Sequence, residues 1–317
     1  MQTNLNVIDD ISNHSNHSPR TQSRGAAGVI PDLWNVIAVQ KQPLMEVIWE
    51  QQRLHEARRW NAVALVDAVD LAALSDEDKL ALRMAGQAEL TTKPGADRLT
   101  NQADAECRRW QGNNPALASV MQALGTWSRY WNEEEAHHES SFDQLTRRLG
   151  LEGATDEMVL QYRKVFPDDD MLRTLVLLAI SEIVASVNYA NAARATQDPG
   201  LKALFKHVGA DEVQHMTNFV SFAKALVDSG EYHAKDAFAV AHFFVRDDGE
   251  LQGSRRGKIE DRDTHVNWWD HIDDGLEAVT NHKRKVTMVC NMLERVTGIR
   301  VDSAEAIEDM WMELVGC

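Results

Sequence analysis

Cysteine is scarce in this chain. Three are present in 317 residues (Cys107, Cys290 and Cys317), an odd number without the spacing of a metal site. That excludes a disulfide scaffold and reads as free thiols in a reducing compartment. Positive charge is also in short supply. Lysine and arginine number 33 against 49 acidic residues, a formal charge of -16. A chain this acidic lacks the basic face that non-specific nucleic-acid binding needs. No run reads as long and apolar enough to cross a membrane, and the start is polar rather than signal-like. The expectation is a cytoplasmic protein. No alternating strand pattern and no short-period repeat is found, which leaves an all-α class.

What is present is a large apolar content, 44%, enough for a sizeable core. Residues 1–28 are rich in Asn, Ser, His and Gly and are expected to form a disordered tail, His14 and His17 included. Residues 29–317 are expected to form a single helical domain. Helical patterning runs from Pro31 to about Arg59, broken at Pro43, then from Ala62 to Ala73. Ser75 with Asp76, Glu77 and Asp78 marks a helix start, because a hydroxyl cap and acidic first turn suit the free amides. That helix heads for Glu89 and is expected to be disturbed at Pro94-Gly95, with a weaker helix from Asp97 to Trp110. Pro115 opens a long helix to about Leu149. Further helices are expected from Met171 to Thr196, from the Asp198-Pro199-Gly200 start to Gly230, and from Asp236 to Val245. After a charged loop from Arg246 to Asp263, two more are expected, His265 to Val296 and Asp302 to Val315.

The chemistry concentrates in WSRYWNEEEAHH, Trp127 to His138. Glu134-x-x-His137 and Glu135-x-x-His138 both place a carboxylate and an imidazole on one helix face. Phase separates them. Leu117, Val120, Leu124, Trp127 and Trp131 step by threes and fours into Glu135, His138, Phe142 and Leu145. Glu135 and His138 therefore face the core, with Glu134 and His137 off to the side. A second pair, Glu212 and His215, shares a stripe with Leu204, Val208, Phe219, Phe222 and Leu226. Between them Glu182 lies on the buried stripe of the very apolar MLRTLVLLAISEIVASV. An isolated buried carboxylate is expensive, so such groups are paired or bind metal.

Two Glu-x-x-His pairs with single glutamates from two further helices make up the donor set of a two-metal bundle site. Carboxylate and imidazole together suit iron or manganese. The remaining carboxylate comes from Glu89 or Glu106. Depth along the helix favours Glu89, because Glu106 lies close to the turn before Pro115. Asp211 is expected behind a ligand histidine, accepting from its outer nitrogen, with Trp131 in the same outer layer. Trp127, Trp131, Trp268, Trp269, His265 and His271 otherwise read as packing. Two basic clusters, Arg255-Arg256 with Lys258 and His282 to Lys285, read as solvated faces or docking points for an acidic partner.

At these residues the sequence resembles the acyl-carrier-protein desaturases, soluble diiron enzymes of the ferritin-like superfamily. Trp127, Arg129, Trp131, Glu134, Glu135 and His138 fall on the family's W-x-R-x-W-T-A-E-E-N-R-H, and Ala210, Asp211, Glu212 and His215 on its A-D-E-x-R-H-E. Glu182 takes the place of the intervening glutamate; Glu89, followed by Pro94, that of the first. The resemblance covers about residues 74–226 and is specific in the two motifs. It implies a ferritin-like four-helix bundle with additional terminal helices. It implies two iron ions and O2, a fatty acyl chain on acyl carrier protein, a ferredoxin-type electron donor and a homodimer. Departures are Ala185, with Ser186 next to it, where plant-type members have threonine one turn after the intervening glutamate, and Gln214 and Met216 for arginine and glutamate in the second motif. These leave desaturation first, with hydroxylation or N-oxygenation by a tailoring enzyme, or non-catalytic iron binding, as the alternatives.

Overall fold

Residues 29–30, 32–89, 92–151, 170–246 and 276–316 are described by the computed structural model. Among them every regular element is helical. A π-helical turn, Asn35–Val39, precedes α1 (Leu44–Glu56), α2 (Ala62–Asp67), α3 (Asp76–Glu89), α4 (Thr92–Trp110) and α5 (Pro115–Arg148). Then come α6 (Met171–Ala195), α7 (Pro199–Asp228), α8 (Ala234–Arg246), α9 (Leu276–Thr297) and α10 (Ala304–Val315). The expected tail, the charged loop with Arg255, Arg256 and Lys258, and the stretch with His265, Trp268, Trp269 and His271 lie outside the described residues.

Local chemistry sets the helix starts. Asn114, Asp170, Asp198 and Ser303 each accept from a backbone N–H three residues on, so one otherwise unpaired amide per helix is satisfied. Pro115 and Pro199 occupy first-turn positions where their missing N–H loses nothing. The same reasoning corrects the expectation at Pro94-Gly95. These residues lie inside the first turn of α4, which begins at Thr92, because a first-turn residue needs no N–H donor to the helix. The second helical region stops at Asp67 rather than Ala73.

Helices α3 and α4 together run antiparallel to α5. Cys107 meets Gln122, Thr100 meets Ser128, Asp97 meets Asn132, and Gly86 lies against Phe142. This steady register brings Glu89, at the end of α3, level with His138. Helix α6 packs mainly on α7. The pair comes close where Gly209 leaves room for Tyr189. A larger core cluster joins α4 to α10, and a smaller one gathers α2, α3 and the facing ends of α5, α6 and α7.

Helix α6 also corrects the reading that no segment could span a membrane. It is 25 residues long and contains an 18-residue window of mean hydropathy 1.6, long and apolar enough by composition, but 78% of that window is buried within the bundle. Its apolar surface is used for packing between helices, and it carries buried Glu182 and Asn188.

Candidate metal centre

Helix phase delivers six side chains to one place. Glu89 arrives from the end of α3, Glu135 and His138 from α5, Glu182 from α6, and Glu212 and His215 from α7. All are 6% exposed or less. Atoms of Glu89, Glu135, His138 and Glu212 lie within 4.8 Å of one another, and so do atoms of Glu135, Glu182, Glu212 and His215. The two groups share Glu135 and Glu212.

The individual distances show how the sharing works. His138 Nδ1 is 3.3 Å from Glu135 Oε2, 3.4 Å from Glu212 Oε1 and 3.9 Å from Glu89 Oε2. His215 Nδ1 is 2.9 Å from Glu135 Oε1, 3.1 Å from Glu212 Oε2 and 4.0 Å from Glu182 Oε1. Glu135 and Glu212 therefore offer one oxygen to each imidazole, as bridging carboxylates would. Glu89 and Glu182 each serve one side only. Glu106 stands elsewhere, accepting from Arg109, Trp110 and Tyr232.

The electrostatics call for cations. Burial, then the charges of Glu135 and Glu212, push Glu89 well above the ordinary carboxylate range. Burial, Glu212 and Glu135 do the same to Glu182. Burial opposes charge on His138 and His215, yet Glu135 above all holds both well above the usual imidazole value. Burial would also raise Glu135, but the two imidazoles pull it far down. Nδ1 of His138 is buried and has no hydrogen-bond partner. Four buried carboxylates, with two imidazole Nδ1 atoms turned among them, fit a pair of divalent transition-metal ions that would take the place of the imidazole protons.

Behind the cluster lies a second layer. Trp131 Nε1 donates to Glu135 Oε1 at 2.7 Å. Tyr189 donates to Glu89 Oε1, leaving Oε2 for the centre. Asp211 Oδ2 sits 3.2 Å from His138 Nε2 and also accepts from Trp60, while Asp211 Oδ1 accepts from Arg58. Several participants escape the sequence reading. Glu134 is off the core stripe as expected, but its side chain turns back to meet His215 Nε2 at 2.7 Å and His55 Nδ1 at 2.9 Å. Burial pushes Glu134 up, and those two histidines pull it well below the usual range. Tyr189 has no role in the sequence reading. The signal for it was its place two helical turns after Glu182. Nothing local in the sequence points to His55, which comes from α1. In the second basic cluster Lys283 and Arg284 are exposed, but Lys285 is buried, so that stretch is only in part a solvated face.

Among the described residues the fold is an all-helical, ferritin-like bundle with a buried, carboxylate-rich pocket whose side chains could hold two metal ions. No protein-family model and no curated sequence matches the chain. Among solved structures, it is similar to an R2-like ligand-binding oxidase variant with an aerobically reconstituted Fe/Fe cofactor. That pair has a TM-score of 0.50 and 14% identity, over 83% of this chain and 96% of the other. Another variant of an R2-like ligand-binding oxidase, with an anaerobically reconstituted Mn/Fe cofactor, gives a TM-score of 0.51 and 15% identity over the same shares. At these identities the likeness establishes the fold.

Proposed function

We propose that this chain is an oxygen-dependent dimetal oxidase that holds two iron ions, or iron with manganese, and acts on an apolar substrate of fatty acyl type. The observation that carries the reading is the pair of buried donor groups sharing Glu135 and Glu212. Two solved proteins of like fold are described as oxidases with Fe/Fe and Mn/Fe cofactors, which supports the same choice of metals.

In this reading Glu89 and His138 would hold one ion and Glu182 and His215 the other, with Glu135 and Glu212 shared between the two groups. Such a pair, when bound and kept reduced by an external donor, would supply O2 activation and the oxidising power to take hydrogen from an unactivated carbon. The protein's part is positioning. Asp211 and Glu134 accept from the outer Nε2 atoms, which fixes each imidazole with its Nδ1 lone pair inward. Trp131 and Tyr189 donate to Glu135 and Glu89 and so orient those carboxylates. Leu178 and Ala179, one helical turn before Glu182, and Ile183 next to it are buried and apolar.

The finer reading is desaturation of an acyl chain on acyl carrier protein, with a ferredoxin-type donor. Hydroxylation stands second, and a specific contact keeps it in view. Ala185 stands at the threonine position, and the neighbouring Ser186 turns its hydroxyl to the Ile183 carbonyl at 2.8 Å, so it does not replace a free threonine hydroxyl. The test loads the chain with ferrous iron and supplies O2, a reductant and acyl chains free or on acyl carrier protein. Products are then read by mass spectrometry. Loss of two hydrogens supports desaturation and gain of one oxygen supports hydroxylation. Absence of substrate-dependent oxygen uptake with every acyl form removes the acyl oxidase reading.

A further inference from the structure

One short stretch of chain stands behind both histidines of the centre. Arg58 and Trp60 bond Asp211, which meets His138 Nε2. Three residues before Arg58, near the end of α1, His55 bonds Glu134, which meets His215 Nε2. His55 is 6% exposed, and its ring is stacked on Tyr130 at 4.7 Å with 14° between the planes. Its orientation is therefore set by packing before any metal arrives.

We propose that His55 is a positioning residue for the half of the centre built on His215 and Glu182, acting through Glu134. This rests on the dimetal reading above. A carboxylate only accepts, so Glu134 takes one N–H from His55 on Oε1 and one from His215 on Oε2. The first bond holds the carboxylate in place; the second holds His215 with Nδ1 free for a metal. Without the His55 donor, Glu134 keeps one anchor and can rotate towards solvent, since its side chain is 13% exposed. His215 then loses the partner that fixes both its tautomer and its ring. The His138 half has its own support in Asp211 and is untouched.

The surroundings favour a change in positioning over a collapse. A narrow, part-open pocket between α1, α5 and α7 reaches His55 and Glu134, with Gln51, Tyr130 and Asn218 also on its walls. Gln51 Oε1 and His55 Nε2 face burial there without a hydrogen-bond partner. Water entering this pocket can hydrate Glu134 when the imidazole is absent, so the bundle keeps its fold while His215 loses its orientation.

The test is anaerobic cobalt(II) titration of the full chain, following the visible spectrum and the ions bound. The wild type binds two ions tightly. His55→Phe keeps the stack on Tyr130 and loses the donor; it binds one ion as before and the second roughly 10- to 100-fold more weakly. His55→Asn, whose amide reproduces the Nδ1 donor, restores the second ion to within a few-fold. The melting temperature of metal-free His55→Phe stays at the wild-type value, which a merely structural role would not allow. Glu134→Gln, which loses an acceptor and leaves His55 in place, shows the same selective loss and decides the matter should His55→Phe not fold. Wild-type affinity for both ions in either variant overturns the proposal, as does His55→Asn behaving like His55→Phe. A wild-type chain that takes up no cobalt instead sinks the dimetal reading itself.

Discussion

Asp211 accepts from three donors at once: Arg58 at 2.6 Å, Trp60 at 2.6 Å and His138 at 3.2 Å. It is almost fully buried, so no water replaces a lost partner. Asp211→Asn puts an amide N–H where a donor already points and leaves Arg58 facing a neutral group. We expect a loss of about 1–3 kcal/mol in denaturant unfolding. Metal affinity at the His138 half should fall about 10- to 100-fold. Unchanged unfolding and unchanged titration would show that the His138–Asp211 contact does nothing. Tyr189 makes a narrower prediction. Its hydroxyl commits Glu89 Oε1, so Tyr189→Phe frees that oxygen while the ring keeps its stack on Phe142. The expected result is a changed visible spectrum of the cobalt-loaded protein with two ions still bound. An identical spectrum would remove Tyr189 from the site.

Elements meet through a few contacts that tolerate no extra atom. At Gly200, in the first turn of α7, an added Cβ would lie 2.3 Å from the Ala68 carbonyl oxygen. The obstacle is backbone, so Gly200→Ala must push α7 away from the end of α2. Overpacking of this sort costs about 1–3 kcal/mol and shows as a lowered melting temperature; no change would mean that α2 yields freely. The same scale explains what was legible in the sequence. The continuous stripe through Leu117, Trp131, Glu135 and Phe142 fixed the phase of α5, and caps such as Asp198 marked helix starts, because both are local. Glu89 rests on a depth argument and on the family resemblance, not on its helix phase. Its placement depends on the register of α3 and α4 along α5, which no local pattern encodes. His55 was out of reach, since the bond to Glu134 joins residues 79 positions apart. Glu134 was assigned to the side of the helix on phase alone, and a glutamate is long enough to reach back.

At the scale of the whole molecule, the cluster ties folding to protons and metal. In the metal-free chain His138 and His215 lie well above the ordinary imidazole value of 6.5, against burial and chiefly because of Glu135. Glu89 and Glu182 are also raised, burial being the largest cause. Groups that hold protons more tightly when folded contribute stability that is complete below their unfolded values. That contribution is lost as pH rises through the folded values. Glu135 is depressed, and its contribution disappears only in acid. The metal-free chain should therefore melt at progressively lower temperature as pH climbs from near 6.5 into the alkaline range. Metal ions bound as proposed would replace those protons, so the loaded chain should melt higher and vary less over the same range. A metal-free melting temperature that rises with pH would show that the imidazoles are not held protonated.

The most direct measurement is the number of ferrous ions bound per chain, taken anaerobically on the wild type and on Glu182→Ala. The account predicts two ions for the wild type. For the variant it predicts one firmly held ion, because Glu182 serves only the His215 side. A wild type that binds none, or a variant that keeps both with undiminished affinity, would contradict it.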